Sequence, residues 1–157
     1  MRIGFFDSGI GGLTTMRECV KVLDGGDFVY LSDDKNAPYG VKDIAELMQI
    51  GENGVKFLSR LGCNVIVLAC NTLTATIKPK LCLSYPNITF IGVEPAVKPA
   101  SKENLRVALL ATPRTIGSER VKSLIQSCRG KVTADRKSVG VGKECVCQCR
   151  SRWSPYH

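Results

Sequence analysis

Five short, largely apolar runs, at residues 3–6, 28–31, 65–69, 89–93 and 106–111, recur along this chain, and most stretches between them carry apolar residues at helical spacing. This alternation constrains the fold more than any other feature. Val65-Ile66-Val67-Leu68-Ala69 is apolar at every position, so as a strand it offers no face to water and belongs in a parallel sheet covered on both sides. Parallel neighbours need crossover connections, which the intervening helices supply. The expected fold is α/β, a three-layer sandwich around a mainly parallel sheet.

The helices are placed by periodicity and by their ends. A helix is expected over 13–23, after the turn Asp7-Ser8-Gly9-Ile10-Gly11-Gly12. A long amphipathic helix should start at the N-cap Asp43, carry Ile44, Leu47, Met48, Val55, Leu58 and Leu61 at helical spacing, and stop at Gly62. A third is expected over 73–84 with Pro79 in its body, then a short helix or turn over 94–100. A last one follows Thr112-Pro113-Arg114-Thr115 and includes Ile116, Val121, Leu124 and Ile125. Residues 129–157 show no such pattern, and residues 150–157 read as translated sequencing-adapter DNA. This segment is expected to be an artefactual or disordered tail outside the fold.

Length and composition narrow the function classes. At 157 residues the chain holds about one domain, and with 44% hydrophobic and 23% charged residues it is ordinary globular material. No apolar run approaches the roughly 18 residues of a membrane helix, and the first residues lack a signal peptide's apolar region, so the cytoplasm is the expected location. The formal charge of +8 is spread among acids with no Lys/Arg run and no interleaved aromatics, so neither nucleic acid nor membrane is expected as a partner. The eight cysteines are expected as thiols. Cys145, Cys147 and Cys149 alternate in an extended run, which is not the paired spacing of a zinc site, and no metal is expected.

In a parallel sheet, ligands bind beyond the carboxyl ends of the strands. Those ends carry Asp7-Ser8, the loop over 33–40, Cys70-Asn71-Thr72, Glu94 and Thr112 to Thr115, so the chemically capable residues should converge. The glycine turn after Asp7 offers backbone N–H groups for a carboxylate or phosphate. It has neither the third glycine of a dinucleotide fingerprint nor the Gly-Lys-Ser/Thr of a P-loop. Cys70 stands out among the cysteines because it follows a strand and opens a helix, where backbone dipoles should lower its pKa and favour the thiolate, against an opposing charge on Asp7. Cys19 and Cys63 lack that context and read as packing residues.

Asp7-Ser8-Gly9 with Gly11-Gly12, Pro38-Tyr39-Gly40, Ala69-Cys70-Asn71-Thr72 and Gly92-Val93-Glu94-Pro95-Ala96 together resemble the N-terminal half of glutamate racemase over residues 1–128. The resemblance implies two flavodoxin-like α/β domains with the active site between them. Residues 1–104 would be the first domain and 105–128 the start of the second. It further implies cofactor-independent racemisation of glutamate by two cysteine acid/base residues, without pyridoxal phosphate or metal, supplying D-glutamate for peptidoglycan. Carried onto this sequence, Cys70 is one thiol and Asp7 its carboxylate neighbour. Asp7, Ser8, Tyr39, Gly40, Asn71, Thr72 and Thr115 are substrate contacts, and the complete enzyme is a candidate homodimer. The family's second catalytic segment, Gly-Cys-Thr-His-Tyr-Pro, does not occur here. The chain is therefore read as a truncated member, inactive alone. Aspartate or hydantoin racemase, and a noncatalytic anion-binding module, stand as alternatives.

Overall fold

The computed structural model describes residues 1–23, 25–102, 107–128 and 132–135. Strand β1 (Arg2–Asp7) leads through the glycine turn into α1 (Leu13–Val22), and β2 (Asp27–Ser32) leads through two 3-10 turns (Asp34–Asn36 and Tyr39–Val41) into α2 (Ile44–Arg60). Then come β3 (Val65–Leu68), α3 (Asn71–Thr76), α4 (Lys78–Ser84), β4 (Thr89–Gly92) and α5 (Val97–Lys102). The order closes with β5 (Val107–Leu110), α6 (Pro113–Gly117), α7 (Glu119–Gln126) and β6 (Val132–Asp135).

Strands β1 to β4 form one sheet in the order β2-β1-β3-β4, with every pair parallel. The five expected apolar runs are the first five strands. Successive strand side chains point to opposite faces, so neighbours in β1 feed different cores. Phe6, with Ile66 and Leu68, packs beneath Leu47, Val55 and Leu58 of α2, Leu73 of α3, Leu81 of α4 and Ile77 between those two helices. Phe5 faces the other way with Ile3 and Val67, against Met16 and Cys19 of α1 and against Phe28 and Tyr30 of β2. Helices thus flank both faces, as the uninterrupted apolar strand β3 requires.

α2 begins as expected: the Asp43 carboxylate accepts the Glu46 N–H at 2.7 Å, and Gly62 follows the helix at φ 83°. The helix expected over 73–84 is instead two. Pro79 has no N–H to give and its ring would strike the preceding turn, so it is accommodated in the first turn of α4, after a break at Ile77. The helix expected after Thr112 divides as well. Ser118 is extended and its hydroxyl accepts the Val121 N–H at 3.3 Å, which starts α7 as a separate helix.

A second, two-stranded sheet pairs β5 with β6 in parallel. Val132 to Asp135 therefore form a strand, although the sequence pattern assigns them to the tail; residues 136–157, with Cys145, Cys147 and Cys149, lie outside the described residues. A separate core of Leu109, Ala111, Ile116, Val121, Leu124 and Cys128 covers this sheet, and it includes Val97 of α5, ahead of the expected division at 104.

Packing between α2 and the sheet is close at Gly54, where a Cβ would lie 2.4 Å from Cε1 of Phe6. Alanine is worth up to about 1 kcal/mol more than glycine in a helix. Forcing a methyl group into a filled core costs about 1–3 kcal/mol. Gly54→Ala should therefore destabilise the chain by roughly 1–2 kcal/mol in urea unfolding. A variant as stable as the parent would mean that Phe6 can give way.

Candidate active site

The β1 and β3 strands leave the sheet side by side, and their ends build the centre of the site. Asp7, the last residue of β1, is buried, and its carboxylate is held by two amides of its own turn. Ser8 N–H donates to Oδ1 at 2.8 Å and Gly12 N–H to Oδ2 at 2.7 Å. The turn can close this tightly because residue 12 has no side chain: a Cβ there would lie 2.6 Å from Cβ of Ala69. Cys70 caps α3 immediately beyond β3 and is only 6% exposed. Its thiol donates to the Ser8 hydroxyl at 3.8 Å, which joins the two strand ends.

Two further groups flank this centre. Tyr39 is buried, and its hydroxyl donates to Oδ2 of Asp33 at 2.6 Å, while the Asn36 amide donates to both Asp33 oxygens at 2.8 and 2.9 Å. On the other side the hydroxyls of Thr72, Thr112 and Thr115 lie within hydrogen-bond distance of one another, at 3.2, 3.2 and 2.9 Å. Gly40 backs onto this group, since a Cβ there would lie 2.6 Å from Cβ of Thr112. Beside that contact opens a cleft of about 360 Å³ lined by Gly40, Val41, Pro113, Arg114 and Gly117. The side-chain oxygen of Asn71 is buried without a hydrogen-bond partner among the described residues, an acceptor free for a ligand's N–H.

The structure thus links Asp7, Ser8 and Cys70 directly, and brings Thr115 onto Thr72 from the second sheet's side. Glu94 stands apart from these hydrogen bonds and instead pairs with Arg120 of α7 at 2.7 and 3.1 Å. Asp33 and Thr112 lie at the strand ends expected to converge, though without a role of their own there. Tyr30 escapes the sequence pattern: it reads as a sheet residue, although its hydroxyl reaches the Gly9 carbonyl at 2.7 Å. Only the register of β2 against β1, which sets Tyr30 opposite Phe5 on the face of Asp7, could reveal it.

The electrostatics correct one expectation. The Cys70 pKa is raised, not lowered. Burial dominates, and the Asp7 charge adds to it; the Leu73 and Thr72 amides and the Ser8 hydroxyl favour the thiolate without prevailing. The phenol of Tyr39 is pushed far above its ordinary range by burial, by its hydrogen bond to Asp33 and by that residue's charge, so it stays neutral. Cys63, which is buried too, is also raised by desolvation. Cys70 should consequently react more slowly with iodoacetamide at neutral pH than the exposed Cys82, with a midpoint above the ordinary thiol value of about 8.5. Asp7→Asn removes a like charge and should move that midpoint down. Peptide mass mapping across pH measures both, and a Cys70 midpoint at or below the ordinary value would contradict the assignment.

No protein-family model matches the chain. Among curated proteins, the glutamate racemase of Clostridium novyi is 43% identical over 133 residues, 83% of this chain and 51% of the relative. Among solved structures, glutamate racemase from Aquifex pyrophilus superimposes with a TM-score of 0.77 at 32% identity, over 87% of this chain and 55% of that one. Glutamate racemase from Francisella tularensis, solved in complex with D-glutamate, gives 0.70 at 31% identity, over 86% and 52%. A share of 87% is more than residues 1–128 can supply, so the similarity runs past Cys128, into the stretch that holds β6. The chain spans about half the length of these relatives. Over about half of their length, glutamate racemases are what both its sequence and its fold are similar to.

Proposed function

We propose that this chain carries one half of a cofactor-independent glutamate racemase and supplies Cys70 as one of its two acid/base thiols. The observation that carries the reading is the placement of Cys70: a buried thiol at the end of the central strand β3, hydrogen-bonded to Ser8 and beside Asp7. The Cα–H of an amino acid is a very weak acid. Without pyridoxal phosphate its removal needs a strong base on one face, an acid on the other, and donors where charge develops. A thiol with a raised pKa suits this work. Protonated, it is ready to deliver a proton, and as a thiolate it is a stronger base than an ordinary cysteine.

The surrounding groups divide the remaining tasks. The hydroxyls of Thr72 and Thr115 and the amides at the start of α3 are donors for a carboxylate, and the free Asn71 oxygen is an acceptor for the ammonium group. Ser8 steers the Cys70 proton, Asp7 fixes the turn that carries Ser8, Tyr39 forms a neutral wall, and Gly40 supports the threonines through Thr112. In this reading the thiol on the second substrate face belongs to the family's Gly-Cys-Thr-His-Tyr-Pro segment, which this sequence lacks. Residues 1–104 form the first domain and 105–128 open the second, and the product serves as D-glutamate for peptidoglycan. Glutamate is favoured over aspartate or a hydantoin because the curated relatives carry that name.

The chain as given should not racemise glutamate, because a proton taken from one face has no partner thiol on the other. Groups that act as a pair are not replaced additively, so residual activity should be very low. Joined to an intact second half, the same residues should exchange the Cα proton in deuterated water and invert the centre without added pyridoxal phosphate or metal. Cys70→Ala should abolish inversion. Racemisation by the chain alone, or dependence of the completed enzyme on a cofactor, would overturn the two-thiol reading.

A further inference from the structure

The turn that bears Asp7 and Ser8 contains Gly9, Gly11 and Gly12, so its own residues do little to restrict its backbone. Its tie to the rest of the sheet comes from a neighbouring strand. Tyr30 of β2 stands opposite Phe5 on the α1 face, the face to which Asp7 also points. Its hydroxyl donates to the Gly9 carbonyl at 2.7 Å and lies 3.4 Å from Oδ2 of Asp7. A Cβ at Gly12 would lie 2.9 Å from the same oxygen. One phenol therefore reaches the turn at its beginning and its middle, and Gly12 leaves room for it at the end. The two amides that hold Asp7, from Ser8 and Gly12, tie the two ends of the turn to β1 and leave its middle, at Gly9, to the phenol.

From this geometry we infer that Tyr30 is a positioning residue for the active site, which acts on Cys70 through Ser8 by pinning the glycine turn at the Gly9 carbonyl. The inference rests on the reading of Cys70 as the acid/base thiol, and it adds a residue that touches no reacting atom. With the phenol in place, the Ser8 hydroxyl is held 3.8 Å from the Cys70 sulfur. Without it the turn is free to drift and the Ser8 contact is the first to loosen, while Asp7 keeps its two amides and its charge stays near the thiol.

The test is a titration of Cys70 in the full chain, by iodoacetamide alkylation across pH with peptide mapping. The titratable groups that face Cys70 are Asp7 from β1 and Tyr39 from the turn after β2, with Asp33 acting behind Tyr39; none of them is altered. Tyr30→Phe keeps the ring in its apolar contacts and removes only the hydroxyl. Ser8→Ala should raise the Cys70 midpoint by roughly half a pH unit, as expected for the loss of one hydrogen bond to the thiolate. Tyr30→Phe should raise it in the same direction. The double variant should then show no more than the Ser8→Ala shift, because both act through one contact. Buried Cys63 serves as the internal control, since general loosening would change both thiols together. An unchanged or lowered midpoint in Tyr30→Phe, additive shifts in the double variant, or a parallel change at Cys63 would each overturn the role. Because the titration needs neither substrate nor turnover, its failure leaves the racemase reading to be decided by the isotope exchange of the completed enzyme.

Discussion

The parallel pairing of β1 with β3 is the constraint on which the site depends. Phe6 stands opposite Leu68, and the Ala69 N–H continues the ladder to the Phe6 carbonyl at 2.9 Å, so the two chains leave the sheet in step. Asp7 and Ser8 therefore emerge beside Ala69 and Cys70. A slip of one residue would send Phe5 and Phe6 to each other's faces and so disrupt both cores at once. Burial of the two aromatic rings, one on each face, is thus what sets the register that brings Ser8 beside Cys70. The geometry of the candidate site is a by-product of core packing in the neighbouring layer.

That same burial decides the charge state of the thiol. A cysteine at a helix start is favoured as thiolate by the amides around it, but the effect falls off within a turn, and α3 is only six residues long. Taking the sulfur out of water opposes the charge more strongly, and the carboxylate of Asp7 adds to the opposition. Burial and the Asp7 charge thus both favour the protonated thiol at Cys70, the state in which the proposed acid would deliver its proton. Asp7 for its part spends both oxygens on the turn, so its structural work and its electrostatic influence on Cys70 cannot be separated by position.

Much of this was legible in the residues. The strands show as apolar runs because a parallel sheet covered on both faces tolerates little else. Cys70 shows because it sits where such a run ends. What was not legible depends on competition or on distance. Pro79 signals a difficulty in a helix but not its resolution, which is to restart the helix so that the proline falls in the first turn. The sign of the Cys70 shift follows from depth of burial, a quantity that no local spacing carries. β6 is four residues long and flanked by polar and charged positions, so without its partner β5 it cannot be told from a tail. Tyr30 is ordinary in its own segment and gains its role only from a stretch about 20 residues away.

The contact between the two sheets is polar where it meets the site. Thr72 of α3 meets Thr112 and Thr115 at the start of α6, and Gly40 presses its bare Cα against the Thr112 side chain. Three hydroxyls that satisfy one another have few protons to spare. A carboxylate accepting from Thr72 or Thr115 therefore exchanges one hydrogen bond for another, and the net gain is the small difference between them. Affinity cannot come from the number of donors alone. For the proposed substrate it would have to come from holding those hydroxyls in place beforehand, and the Gly40 contact together with the Thr112 cap on α6 holds them from both sides. The exposed Glu94–Arg120 pair spans the same two sheets but lies in water, where such pairs contribute little, so the orientation of the threonines rests on close packing rather than on charge.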